Sequence, residues 1–274
     1  MRCLRGLSLT VLAAAAGSTG TAGAQAQSTS KPPPETRSGL LAGYLPAGAA
    51  PDSLKLLPPP PLPGSAAQAR DDDAARAAVA LDRGARWNRA TRDADLRFPA
   101  PAETFSCAVG VRISDVDTPR LYLLLRRTLT DVGLATYPTK VKFQRTRPFT
   151  VNAAPTCTPE EEAFLRKDGS YPSGHSAVGW GWALILTEIA PDRADAILAR
   201  GRAFGQSRVV CNVHWLSDTE EGRLMASATV AKLHDQAEFQ ADLAAARTEI
   251  VAARTKGLRP TADCAQETAQ LAGG

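Results

Sequence analysis

Three short segments of this 274-residue chain concentrate cations, histidines and one acid. In the first, Lys140 and Arg147 stand seven positions apart, with Pro148 next. On a helix that spacing puts both charges on one face, two turns apart. In the second, Pro172-Ser173-Gly174-His175 leads into a long apolar run. Ser173 is placed to cap a helix, and the amides just after it lack intrahelical partners, so they suit an anion. In the third, Ser207-Arg208 is followed by His214 and, four positions on, Asp218. A shared helical face would let the Asp218 carboxylate fix the His214 tautomer and raise the basicity of its other nitrogen. Arg208 adds a planar fork suited to phosphate oxygens. Cations for an oxyanion, one imidazole to attack and another to exchange a proton describe phosphate-ester hydrolysis.

Singly, each segment has a plainer explanation. The first could be a solvated basic face, since Lys142 and Arg145 lie nearby. The second could be an ordinary helix cap, and the third a surface His–Asp pair. Jointly they are stronger, because two of the chain's three histidines fall inside them. The third, His234, is assigned no role.

Helices must carry these groups, because no convincing alternating strand and no internal repeat occurs. One helix is expected from Ala66 to about Thr91, with Asp71, Asp72 and Asp73 in its first turns as the macrodipole favours. Thr118-Pro119 should cap and start the next, whose apolar face is Leu121, Leu124, Leu125, Thr128, Leu129 and Val132. A further helix should end at Arg147, since Pro148 disfavours helical geometry before it. Residues 97–117 read as loop with room for a short helix, residues 149–159 as loop, and Thr158-Pro159 starts a short helix. From the Ser173 cap a buried helix runs to Ala190, where Pro191 stops it. Asp192 should cap a helix to about Val210, another should span His214 to His234, and the last should bury Phe239, Leu243, Ala246 and Ile250 before Gly257. The fold class expected is all-α, one domain over 66–257, with 258–274 a C-terminal tail.

Residues 1–24 read as an export signal: Arg2 and Arg5, an apolar stretch from Leu7 to Ala16, and Ala22-Gly23-Ala24 for cleavage. That stretch is too short to span a bilayer, and stable membrane insertion is not expected. The net charge is +4, of which two belong to Arg2 and Arg5. The remainder is too balanced for a nucleic-acid partner, and no basic stripe with interleaved aromatics occurs. Residues 25–38 are polar and proline-bearing, and expected to be disordered. Residues 39–65 are proline-rich but carry Leu40, Leu41, Tyr44, Leu45, Leu54, Leu56 and Leu57, so an extended arm against the domain is expected. Beyond the leader four cysteines remain, Cys107, Cys157, Cys211 and Cys264. They suggest disulfides in an exported protein, with three pairings open. No close Cys/His cluster suggests a metal site.

The three segments resemble, position for position, the three-part signature of the type 2 phosphatidic acid phosphatase superfamily. Further details are similar to its class A bacterial non-specific acid phosphatases. They are Gly169-Ser170-Tyr171, Gln206, Cys211, Trp215, and Pro51-Asp52-Ser53-Leu54 before Pro58-Pro59-Pro60-Pro61. The resemblance runs from about Leu40 to about Ala252 and implies the helical fold of that superfamily. It implies that Lys140, Arg147, Arg208, the Ser173 hydroxyl and the amides of Gly174 and His175 hold the phosphoryl group. His214 would form a phosphohistidine, Asp218 would orient it, and His175 would serve as general acid and then base, with no cofactor. It favours a Cys157–Cys211 bridge, then Cys107–Cys264. Class A relatives often carry a glutamate where this chain has Thr130, which implies a different pH profile or substrate range.

The expected activity is a periplasmic or secreted acid phosphatase acting on small phosphate monoesters, with a homo-oligomer left open. A vanadium haloperoxidase would use the same pocket, because vanadate mimics the phosphoryl transition state. A lipid phosphate phosphatase is disfavoured by the lack of spanning segments, and a silent phosphate-binding protein by the presence of every catalytic residue.

Overall fold

The computed structural model describes residues 35–37 and 40–272. The expected export signal, and most of the segment expected to be disordered, lie outside these residues. The chain begins with β1 (Glu35–Arg37) antiparallel to β2 (Leu40–Leu41), the only strands among the described residues. There follow α1 (Ser53–Leu56), α2 (Ala66–Val79), α3 (Ala85–Asp93), α4 (Ser106–Val109), α5 (Pro119–Leu134), α6 (Tyr137–Phe143) and α7 (Pro148–Asn152). Then come α8 (Glu162–Leu165), α9 (Gly174–Ile189), α10 (Ala194–Val210), α11 (Leu216–Leu233), α12 (Ala237–Thr255) and α13 (Cys264–Ala272). Short 3-10 turns cover Ala100–Phe105, Pro159–Glu161 and Pro191–Arg193. No described helix is long and apolar enough to cross a membrane.

The fold is all-α around α9, which packs against α10, α11 and α5, with α12 on α5 and α3 on α10. Most of its apolar run is buried under these helices, and only a face with Trp180, Leu184, Thr187 and Glu188 is partly open. Trp182 of α9 is fully buried, donates to the Leu125 carbonyl at 3.1 Å, and meets Phe98, Phe105 and Phe204. The α9–α10 crossing needs small residues: a Cβ on Gly201 would stand 3.0 Å from the Gly179 carbonyl. The proline-rich stretch lies along this bundle. Asp131 of α5 accepts from the Tyr44 and Leu45 amides at 2.8 and 3.0 Å, and the Thr130 hydroxyl donates to the Leu41 carbonyl at 2.7 Å.

Several local expectations give way to tertiary contacts. The helix expected over 66–91 breaks after Val79, and α3 restarts from Gly84 behind Arg83 at φ 56°. Asp71 is not a solvated first-turn acid but fully buried. Thr118 precedes α5 without capping it; Glu249 of α12 instead accepts from the Arg120 and Leu121 amides at 3.1 and 2.9 Å. Asp192 makes no cap, since a 3-10 turn precedes α10. The helix expected to end at Arg147 stops at Phe143, where Gln144 turns left-handed at φ 44°. The helix expected from His214 starts at Leu216. The segment read as a C-terminal tail holds α13, which packs on α3 and is tied by a Cys107–Cys264 disulfide. A second disulfide joins Cys157 to Cys211.

Candidate active site

Lys140, Arg147, Gly174, His175, Arg208 and His214 line one cavity of about 190 Å³. Ser173 and Asp218 are fully buried and are not part of its lining. The two cations of the first segment converge without sharing a helix. Lys140 projects from α6, whereas Arg147 is the N-cap residue of α7. Asp168 joins them, its Oδ2 lying 3.3 Å from Lys140 Nζ and 2.9 Å from Arg147 Nη2. Lys140 also donates to the Gly169 carbonyl at 2.6 Å. Burial, and then Arg147, lower the Lys140 pKa to about 8.

Ser173 is the N-cap of α9, accepting from the Ser176 amide at 3.2 Å and its hydroxyl at 2.9 Å. Its own hydroxyl proton is therefore directed elsewhere. The Ser173 amide donates to the Asp218 carbonyl at 2.9 Å, which ties the second segment to the third. Gly222 makes that approach possible, because a Cβ there would sit 2.5 Å from the Ser173 carbonyl. His175 Nε2 lies 2.9 Å from the Ala94 carbonyl, so it carries the proton and Nδ1 is the titrating nitrogen. Burial, and then Arg208, hold the His175 pKa well below its ordinary value.

Between α10 and α11 the chain reverses at Asn212, at φ 57°, a conformation asparagine tolerates. The reversal carries His214 back over α10. Its Nδ1 lies 3.2 Å from Asp218 Oδ2, and its Nε2 lies 3.1 Å from Arg147 Nη1. A guanidinium can only donate, so Nε2 keeps its lone pair and Nδ1 holds the proton. Burial with Arg147, Lys140 and Arg208 lowers the His214 pKa well below its ordinary value. Asp218 occupies the third position of α11 and also accepts from the Trp215 amide at 2.8 Å. Burial pushes its pKa up, against the pull of Arg145.

The arginines differ in what they have left to offer. Arg147 is engaged with the carbonyls of Leu165, Asp168, Gly169 and Val213. Arg208 is fully buried, yet its Nε and Nη1 have no partner among the described residues. Leaving a buried donor unpaired costs about 1–3 kcal/mol, more for a charged group. A tetrahedral oxyanion in the cavity would remove that cost. Burial lowers the Arg208 pKa to about 10, which still leaves it charged at neutral pH. No group of three or more His, Cys, Asp or Glu among the described residues could hold a metal ion.

Two groups escaped sequence reasoning. Asp168 gave no signal, as an acid in a loop belongs to no periodic face. Arg145 entered only as a nearby basic residue that would favour a solvated face, but it bridges Asp218 Oδ1 at 2.6 Å and Asp71 Oδ2 at 2.7 Å. Asp71 in turn accepts from the Ser217 amide and hydroxyl at 2.8 and 2.6 Å. The one available clue was the run of acids in α2, which has the composition of an ordinary helix start.

A family model described as the PAP2 superfamily matches residues 121–239. An acid phosphatase of Zymomonas mobilis is 42% identical over 213 residues, 76% of this chain and 79% of that protein. A non-specific acid phosphatase of Providencia stuartii is 44% identical over 207 residues, 75% and 84% of the two chains. One from Salmonella typhimurium is 43% identical over 195 residues, 71% and 78%. These matches span the helices that bring Lys140, Arg147, His175, Arg208 and His214 to one cavity, and the chain belongs to the PAP2 superfamily, within its bacterial non-specific acid phosphatases.

Proposed function

We propose that this acid phosphatase hydrolyses phosphate monoesters through a phosphohistidine on His214. The observation that carries this reading is the buried Arg208, whose Nε and Nη1 have no partner among the described residues, on a cavity shared with both imidazoles. Lys140, Arg147 and Arg208 would surround the phosphoryl oxygens, joined by the Ser173 hydroxyl and the amides of Gly174 and His175. Fixed charges already in place need no reorganisation as charge develops. His214 Nε2 attacks phosphorus, the ester P–O bond breaks, and His175 gives its proton to the leaving alkoxide. Asp218 holds the Nδ1 proton and offsets the imidazolium charge. His175 then takes a proton from water, which attacks phosphorus and breaks the P–N bond, releasing phosphate.

The lowered pKa of His214 keeps its lone pair available in acid, where an ordinary imidazole would be protonated. The cations take the place of a metal ion in neutralising charge, so the reaction should proceed with EDTA present. The expected result is an acid-labile, alkali-stable phosphoenzyme on substrate addition, absent from His214→Ala. A phosphoenzyme that persists in His214→Ala, or activity that vanishes on chelation, would sink the proposal. The leader pattern and the two disulfides support export to an oxidising compartment.

A further inference from the structure

The cavity has two chemically distinct parts. Its floor holds the charges: Lys140, Arg147, Arg208 and His214 are each 4% exposed or less. Above them its walls are Leu40, Leu96, Leu129, Leu134, Phe164 and Val178. Leu129 and Val178 are buried, whereas Phe164 is 64%, Leu134 49% and Tyr137 43% exposed, so these three form the mouth. Single exposed apolar side chains are ordinary on a protein surface. Their convergence at the rim of one cavity is not. Thr130, also in the wall, has its hydroxyl engaged by the Leu41 carbonyl at 2.7 Å. The carboxylate present, Asp168, is held by Lys140 and Arg147 at the floor.

At about 190 Å³ the cavity is smaller than most ligand pockets, which run to roughly 300–1,000 Å³. The phosphoryl group must occupy the charged floor to meet Arg208 and His214. The rest of the ester then extends past the leucines toward the exposed Phe164, Leu134 and Tyr137. A hydroxyl-rich or charged leaving group would lose water there against a mainly aliphatic and aromatic wall, with Tyr137 its one phenol, whereas an apolar one would bury surface.

Resting on the phosphatase reading above, we infer that this site selects monoesters of apolar alcohols, medium-chain alkyl or aryl, over those of polyols. The comparison that tests it is n-hexyl phosphate, below its micelle concentration, against glycerol 1-phosphate. Both expel a primary alkoxide, so the chemical step is matched and the wall is what differs. Each buried methylene is worth about fourfold, so kcat/KM should favour hexyl phosphate by about tenfold or more even with partial burial. Leu134→Gln and Phe164→Ser should each bring that ratio toward one. Inhibition by inorganic phosphate, which has no leaving group, should stay within about twofold in both variants. A wild-type ratio within about twofold of one overturns the inference, as does a ratio that both substitutions leave unchanged. If neither ester nor p-nitrophenyl phosphate is hydrolysed, the phosphatase reading falls, and this inference with it.

Discussion

Lys140 is the residue whose charge is most open to change in the working pH range. Burial and Arg147 hold its pKa at about 8, and Asp168 is the nearest group pulling it back up. In the proposed mechanism the protonated form attracts the phosphoryl group, so affinity is kept below that pH and lost above it. We expect kcat/KM to fall above about pH 8, through a rise in KM. Asp168→Asn removes the stabilising carboxylate, so the alkaline limb should move to lower pH; an unmoved limb would refute the coupling. His175 works by another rule. Its pKa is depressed in the free protein, while the bound phosphoryl charge acts in the opposite direction. His175→Ala should therefore damage turnover of alkyl phosphates, whose alkoxide needs a proton, about 10²-fold or more. An ester of a good leaving group should lose much less in the same steady-state comparison.

The contact between helices α9 and α11 positions the proposed phosphate-binding N-terminus of α9. The Ser173 amide and carbonyl both face α11, one bonded to Asp218 and the other pressed against Gly222. Gly222→Val would drive a branched side chain into the Ser173 carbonyl. We expect a loss of about 1–3 kcal/mol in stability from overpacking. Displacement of the N-terminus of α9 should cost kcat about 10²-fold, out of proportion to the change in thermal midpoint. The stretch before α1 behaves as a wall of the site rather than a tether, since Leu40 lines the cavity and Asp131 pins Tyr44 and Leu45. Asp131→Ala leaves two amides without their acceptor and should cost about 1.5–3 kcal/mol in urea unfolding.

At the scale of the whole molecule, an ionic network joins the C-terminal helix to the third segment. Glu267 of α13 pairs with Arg89 and, at 3.2 Å, with Arg200. Arg200 holds Asp93 at 2.5 Å, and Ser207 donates to Asp93 at 2.6 Å. Ser207 precedes Arg208, and Asp93 precedes the Ala94 carbonyl that holds His175. The Cys107–Cys264 disulfide fastens the start of α13 across a separation of 157 residues. Closing so long a loop restricts the unfolded chain strongly, so Cys107→Ser with Cys264→Ser should cost roughly 2–5 kcal/mol. The thermal midpoint of that double variant, measured against the parent, checks it.

The phosphatase class was legible in the chain, because the residues proposed to carry it stand at short fixed spacings: Ser173 before its helix, His214 four positions from Asp218, Arg208 just upstream. The all-α class was legible too, since helical periodicity is a local property, and so was the buried character of α9. Residues far apart in the chain left no such trace. Lys140 and Arg147 meet through Asp168 rather than along one helical face, and Arg145 meets Asp71 only because α2 packs against α11. Glu249 took the capping role that Thr118 was expected to play. Short-range order sets the spacing of the groups proposed to react. Where each charge finds its counter-charge depends on contacts between distant segments, and these exist only once the helices have packed.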